Sequence, residues 1–259
     1  MPGDDLPLLI AAAREAGALA RDLVTRPLET VDKPGGAGPV TAVDLAVDAC
    51  LAARLRAARP DYGWLSEESE DDPARLGTER VFIVDPIDGT RSLIEGSGLW
   101  AHALAVAERG VVTAAVIHLP MRDKLYAAAA GQGAKLNGVP IRAGARTALP
   151  GATLLAARPA LDPAYWRDGR VPMLRRGFRP SLAYRLALVA EGRFDAMLTL
   201  RPTWEWDAAA GDLILREAGA ATSDRRGGAL LFNNPVPQVA GIAAANRALH
   251  SGLLAALAR

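Results

Sequence analysis

Cysteine is nearly absent. Cys50 stands alone among 259 residues, which excludes an intramolecular disulfide and suits a reducing cytoplasm. Aromatic residues make up 5% of the chain, so alanine and leucine must fill most interior positions. No apolar run reaches the ~20 residues of a membrane helix, because charges or prolines interrupt each one. Asp4 and Asp5 stand where a secretory signal would carry basic residues. A soluble, unprocessed, cytoplasmic protein without a membrane span is expected. Net charge is +1, so there is no general pull toward a nucleic acid polymer or an anionic surface. Internal repeats and low-complexity tails are also missing. Half of the residues are apolar and 23% are charged, the balance of a globular protein. The length suffices for one large domain or two smaller ones sharing an interface.

Apolar positions Leu6, Leu9, Ile10, Ala13, Ala16, Ala20, Leu23 and Val24 recur at helical spacing and predict an amphipathic helix ending before Pro27. The segment 32–39, Asp-Lys-Pro-Gly-Gly-Ala-Gly-Pro, is expected to be a mobile loop without regular structure. Thr41 and Asp44 form a capping-box pattern ahead of a helix over 45–58. A buried strand is expected at 81–84, a hairpin of 103–107 with 112–117, a strand at 124–128 and a tight turn at Asn137-Gly138. Beyond it come a strand near 153–156, a helix near 181–190 and a strand near 196–200. A helix from Asp207 to Ala218, a strand at 239–243 and a last helix from near Asn246 complete the chain. The boundary falls near 143–151. It separates an N-terminal α+β unit (1–145) from a C-terminal α/β unit (146–259). Intermixed strands and helices with early hairpins favour a layered α/β (α+β) sandwich over a parallel doubly wound sheet.

The most informative stretch is Val81-Phe82-Ile83-Val84-Asp85-Pro86-Ile87-Asp88-Gly89-Thr90. An apolar strand runs into two carboxylates, and Pro86 is expected to end the ladder there. Asp85 and Asp88, three residues apart in a turn, can converge on one point. Converging like charges repel unless a cation neutralises them, and all-oxygen ligands suit a hard ion such as Mg²⁺. Asp as a plain turn former is the competing reading. Two further acidic groups favour the metal: Ser66-Glu67-Glu68, and Asp207 opening the small-residue run Trp206-Asp207-Ala208-Ala209-Ala210-Gly211, where it can also serve as an N-cap. Glu70 to Asp72 read as a solvated loop. The spacing Asp-x-x-Asp-Gly-Thr is one residue longer than the Asp-x-Asp-Gly-Thr of haloacid-dehalogenase phosphatases. The longer spacing disfavours a phospho-aspartyl route and favours metal-activated water.

Taken together, Val40-Thr41-Ala42-Val43-Asp44, Ser66-Glu67-Glu68, Asp85 to Thr90, Trp206 to Gly211 and Glu217-Ala218-Gly219 resemble, in order, the motifs of the inositol monophosphatase superfamily. The resemblance implies a magnesium-dependent, lithium-sensitive phosphatase with an α-β-α-β-α sandwich. It implies metal ligation by Glu67, Asp85, Asp88, Asp207 and the Ile87 carbonyl, with Asp44 on a further, weaker metal. Two or three Mg²⁺ ions per site are implied, with Mn²⁺ as a substitute and Li⁺ as an inhibitor. Thr90, with Asp44 or Glu67, would orient the attacking water, and the N–H groups of Gly89 and Thr90 would hold phosphate. Lys33 either closes over the phosphate or stays a solvated loop lysine. His102, His118 and His250 lie apart in sequence and are read as structural. A homodimer is expected, as among the relatives.

Two departures bear on the substrate, a small phosphomonoester. Animal inositol monophosphatases, which this chain resembles, carry an inositol-binding glutamate seven residues before the Trp-Asp aspartate, where Leu200 stands here; Glu205 is a possible replacement. Arg201-Pro202-Thr203 resembles instead the Gly-Pro-Thr of 3'(2'),5'-bisphosphate nucleotidases. Ser181-Leu182-Ala183-Tyr184-Arg185 before Val189-Ala190-Glu191-Gly192 places a basic residue where those nucleotidases have lysine. Arg185 suits a second phosphate, Tyr184 could stack on a base, and Ser181 and Arg201 join them as candidate substrate contacts. Leu182 and Ala183 depart from the nucleotidase serines. 3'-Phosphoadenosine 5'-phosphate is the favoured substrate. Inositol 1-phosphate is the alternative, and a regulatory protein-binding role on the same fold is a third reading.

Overall fold

The computed structural model describes residues 2–33, 35 and 38–258. Helix α1 (Pro2–Leu23) precedes a short antiparallel pair, β1 (Thr30–Asp32) and β2 (Pro39–Thr41), and helix α2 (Ala42–Ala58). The capping box is present: Thr41 Oγ1 accepts the N–H groups of Val43 and Asp44, while Asp44 Oδ2 accepts the Thr41 N–H at 2.9 Å. The segment 32–39 departs from expectation at its ends, where Asp32 pairs with Pro39. Residues 34, 36 and 37 of that expected loop lie outside the described residues.

Seven strands follow: β3 (Gly63–Ser66), β4 (Arg80–Asp88), β5 (Ala101–Glu108), β6 (Val111–Leu119), β7 (Lys124–Ala129), β8 (Ala134–Leu136) and β9 (Val139–Pro140). They form one sheet in chain order, with β3 parallel to β4 and the rest antiparallel. A five-residue helix α3 (Thr90–Ile94) follows β4. Asn137 and Gly138 turn β8 into β9 with φ of 49° and 82°, the left-handed pair that a tight hairpin demands.

After residue 152 come β10 (Thr153–Ala156), β11 (Arg175–Gly177), α4 (Leu182–Ala190), β12 (Ala196–Thr199), β13 (Thr203–Trp204) and α5 (Glu205–Glu217). The chain closes with β14 (Ala220–Ser223), β15 (Gln238–Val239), β16 (Ile242–Asn246) and α6 (Arg247–Ala256). The second sheet runs β11-β10-β12-β16-β14. The strand expected at 239–243 is two strands. Gly241 sits between them at φ 80°, where a Cβ would lie 2.6 Å from the Thr199 carbonyl. That turn sends β15 to pair with β13 and β16 into the main sheet.

Alternating side chains fix the layers. Phe82, Val84, Leu104, Val106, Ala114 and Val116 face α1 and α2. Their neighbours Val81, Ile83, Ala103, Ala105, Ala115 and Ile117 face α4 and α5, which are covered on their far side by Leu155, Met197, Ile242 and Ala244. Leu154, Leu198, Ala243 and Ala245 point the other way, onto α6. The result is the α-β-α-β-α sandwich. No described helix is long and apolar enough to cross a membrane.

One expectation about β4 fails locally. Pro86 does not end its strand: β4 continues to Asp88 through a bulge in which Asp85 faces Ala103 and Asp88 faces Ala101. Proline is tolerated where a bulge interrupts the ladder. His102 and His118, apart in sequence, are cross-strand neighbours with ring centroids 5.8 Å apart.

Candidate active site

The bulged end of β4 and the first turn of α5 meet at one point. One carboxylate oxygen from each of Asp85, Asp88 and Asp207 lies within 4.8 Å of the others. Asp207 is not the N-cap of its helix, which begins at Glu205 with Trp204 in the capping position. The small residues after it allow close packing: a Cβ on Gly211 would lie 2.3 Å from Leu186 of α4. Glu67 follows β3 and is tied to β4 by its N–H on the Val84 carbonyl, 3.2 Å. Glu67, Ile87, Gly89 and Thr90 line a cleft of about 570 Å³ with the three aspartates. Gly89 turns the chain into α3 at φ 104°, a conformation that favours glycine.

The electrostatics of this cluster are those of a donor set for a cation. Both carboxylate oxygens of Asp85 are buried and meet no hydrogen-bond donor among the described residues. Burial, then the charges of Glu67, Asp88, Asp207 and Asp44, push its carboxyl well above the usual range. Burial likewise lifts Asp207, with Asp88 and Glu67 adding to it and Arg201 and Arg185 opposing. Asp88 is raised by burial against the donors at the start of α4. Desolvated carboxylates that repel one another are stable as anions only beside a positive ion. Oxygen-only donors of this kind fit a hard divalent metal.

Neighbours fix the orientation of these acids. Ser181 Oγ donates to Asp88 Oδ2 at 2.7 Å and the Ala183 N–H donates to the same oxygen at 2.6 Å. The Ser181 hydroxyl, expected from the motif resemblance to touch substrate, is therefore committed to Asp88 and fully buried. Asp44 Oδ2 accepts from Thr41, and Oδ1 accepts from Thr90 Oγ1 at 2.8 Å. Thr90 Oγ1 also lies 3.2 Å from the Ile87 carbonyl, but its one proton goes to the nearer carboxylate. Lys33 is not a solvated loop lysine: Nζ donates to Glu67 at 2.9 Å and to Glu68 at 2.7 Å. Burial raises the Glu68 carboxyl to about 7, opposed by its hydrogen bond from Lys33.

The opposite wall is cationic. Arg185 Nε and Nη2 donate to the carbonyls of Arg179 and Pro180, and the guanidinium lies 4.4 Å from the Phe178 ring centre. Arg185, Arg201 and Phe178 line both the acidic cleft and an adjoining recess of about 340 Å³, which also contains Tyr165 and Leu200. Tyr184 does not reach either space; it packs in the central core. Glu205 is fully buried and accepts from the Asn233 and Asn234 N–H groups and from the Asn234 side chain, so it does not replace the carboxylate missing at Leu200. Phe178 and Tyr165 escaped sequence reasoning because each sits in an irregular segment with no periodic or motif signal.

A family model described as the inositol monophosphatase family matches residues 5–259. The chain is 37% identical over 233 residues to the Inositol-1-monophosphatase of Rhizobium meliloti, covering 86% of each chain. It is 35% identical to the Nus factor SuhB of Escherichia coli, again over 86% of each. Among solved structures, the Thermotoga maritima IMPase superposes with a TM-score of 0.81 at 26% identity, covering 97% of this chain and 96% of that one.

Proposed function

We propose a substrate and a set of residue roles for this chain, which belongs to the inositol monophosphatase family and is a metal-dependent phosphatase. The substrate is 3'-phosphoadenosine 5'-phosphate. The observation that carries this reading is the pair Arg185 and Arg201 between the acidic cluster and an aromatic-lined recess. A molecule with one phosphate at the acids, a second at the arginines and a flat base beyond them matches that order of surfaces. Arg185 Nη1 is the guanidinium nitrogen left over after Nε and Nη2 bind backbone carbonyls. An anion there gains a charge-assisted bond.

Asp85, Asp88, Asp207, Glu67 and the Ile87 carbonyl would hold Mg²⁺, which when bound neutralises phosphate charge and acidifies water. Lys33, which donates to Glu67, would have to release that carboxylate for Glu67 to serve as a ligand. Asp44 accepts the Thr90 proton, which leaves the Thr90 oxygen free to accept a proton from the attacking water and orient it. Both Asp44 oxygens have protein partners, which favours this orienting role over metal ligation. The N–H groups of Gly89 and Thr90 would hold the phosphate. Inhibition by Li⁺, replacement of Mg²⁺ by Mn²⁺, a homodimeric state and a cytoplasmic location remain part of the same reading, from the family resemblance.

Inositol 1-phosphate is the second reading, favoured by the name of the Rhizobium meliloti relative. Phosphate release in Mg²⁺ buffer from both substrates separates them. A higher kcat/KM for the nucleotide is expected; a higher value for the inositol ester would overturn the nucleotide reading and leave the phosphatase intact.

A further inference from the structure

The acidic cluster begins where β4 leaves regular pairing. Asp85 faces Ala103 and Asp88 faces Ala101, so His102 stands opposite the bulged Pro86 and Ile87. Its ring closes the gap in the ladder: Nδ1 bonds the Pro86 carbonyl at 2.5 Å. A carbonyl only accepts, so Nδ1 carries the proton and Nε2 is the bare nitrogen. That Nε2 is buried with no partner among the described residues.

The surroundings hold the ring still. It is fully buried on the face covered by α1 and α2, edge-on to Trp100 at 5.5 Å and beside His118, whose own Nδ1 is tied to the Ala13 carbonyl of α1. His118 and Arg21 act electrostatically on His102, and Arg21, Arg14 and Asp123 act on His118. Burial keeps His102 neutral down to a pKa of about 3. A leucine would fill this space without leaving a bare buried nitrogen, which is costly. The bond to Pro86 is what a histidine adds here.

We propose that His102 is a positioning residue for the metal site, holding the Pro86 carbonyl against the helix-covered face so that the next carbonyl, of Ile87, turns to the cleft. Successive carbonyls of an extended chain point in opposite directions, so pinning the first aims the second. The inference rests on the reading of Ile87, Asp85 and Asp88 as metal ligands.

Titration calorimetry with MgCl₂ on metal-free wild type, His102→Leu and His102→Asn tests it, with melting temperature recorded for each. Asparagine carries an amide N–H close to where Nδ1–H lies. The leucine variant is expected to bind Mg²⁺ roughly 10–100-fold more weakly, as when a residue supporting a metal ligand is lost, and asparagine to restore most of the affinity. A leucine variant with wild-type affinity overturns the proposal. An asparagine variant as weak as leucine also overturns it, because ring packing rather than the donor would then be responsible. If the leucine variant does not fold, His102→Gln replaces it: its amide reaches toward the Nε2 position, so weak binding by Gln beside intact binding by Asn supports the proposal, and equal binding overturns it. Wild type that binds no Mg²⁺ overturns the metal assignment as well, whereas tight wild-type binding with an unaffected leucine variant removes only the role of His102.

Discussion

Residues 1–145 carry 15 basic against 20 acidic side chains, whereas residues 146–259 carry 15 against 9, and the cleft lies between the two. Its acidic wall is set by regular structure. Asp85 and Asp88 end a central strand, Asp207 sits in a helix's first turn, and Asp88 and Asp44 are each gripped by named donors. The cationic wall is built otherwise. Arg185 is braced by two loop carbonyls and a loop phenylalanine, and Arg201 follows the end of β12 in an exposed turn. Both walls hang a charge on a helix, Asp207 on α5 and Arg185 on α4, but on the cationic side the segment 178–180 and the bend at Arg201 complete the surface, as loops positioned by a scaffold do.

Breaking the acidic wall has the largest expected effect. Asp88→Asn should lower phosphate release by more than about a thousandfold, beyond the loss usual for one electrostatic contact. Its metal-free fold should be no less stable, because one of the mutually repelling carboxylates is gone. Activity within tenfold of wild type would contradict the metal assignment.

A smaller effect isolates what lies beneath the acidic wall. An unfolded histidine takes up a proton near 6.5, whereas folded His102 does so at about 3. Between these values the unfolded state binds more protons, so this group's contribution makes stability fall as pH drops below 6.5. The loss approaches about 1.4 kcal/mol per pH unit for a single site. Urea unfolding in EDTA at several pH values, wild type against His102→Asn, subtracts the common contribution of the carboxylates. The stability of wild type relative to the variant should decline progressively from pH 6.5 to 4.5; parallel curves would contradict the buried neutral state.

Much of the acidic wall was legible in the sequence because its residues fall in short motifs joined to strong periodic patterns. Asp85 and Asp88 end an apolar run, and Thr41 with Asp44 reads as a capping box. The layered architecture followed from the same patterns. What escaped depended on tertiary contact. Nothing local says that Ser181 turns inward to Asp88, that Tyr184 packs into the core, or that Asn233 and Asn234 occupy Glu205. The bulge carrying β4 past Pro86 depends on β5, and β15 separates from β16 because Gly241 must clear Thr199. Lys33 reaches Glu67 and Glu68 across more than thirty residues of sequence, a pairing that no spacing rule anticipates.

The two-wall arrangement is tested most directly by comparing 3'-phosphoadenosine 5'-phosphate with adenosine 3'-phosphate, which lacks only the second phosphate, in wild type and Arg185→Ala. A kcat/KM about 10–100-fold higher for the bisphosphate is expected in wild type, the range of one charged hydrogen bond, with a much smaller ratio in the variant. Equal rates on the two substrates in wild type, or a ratio unchanged by Arg185→Ala, would contradict it.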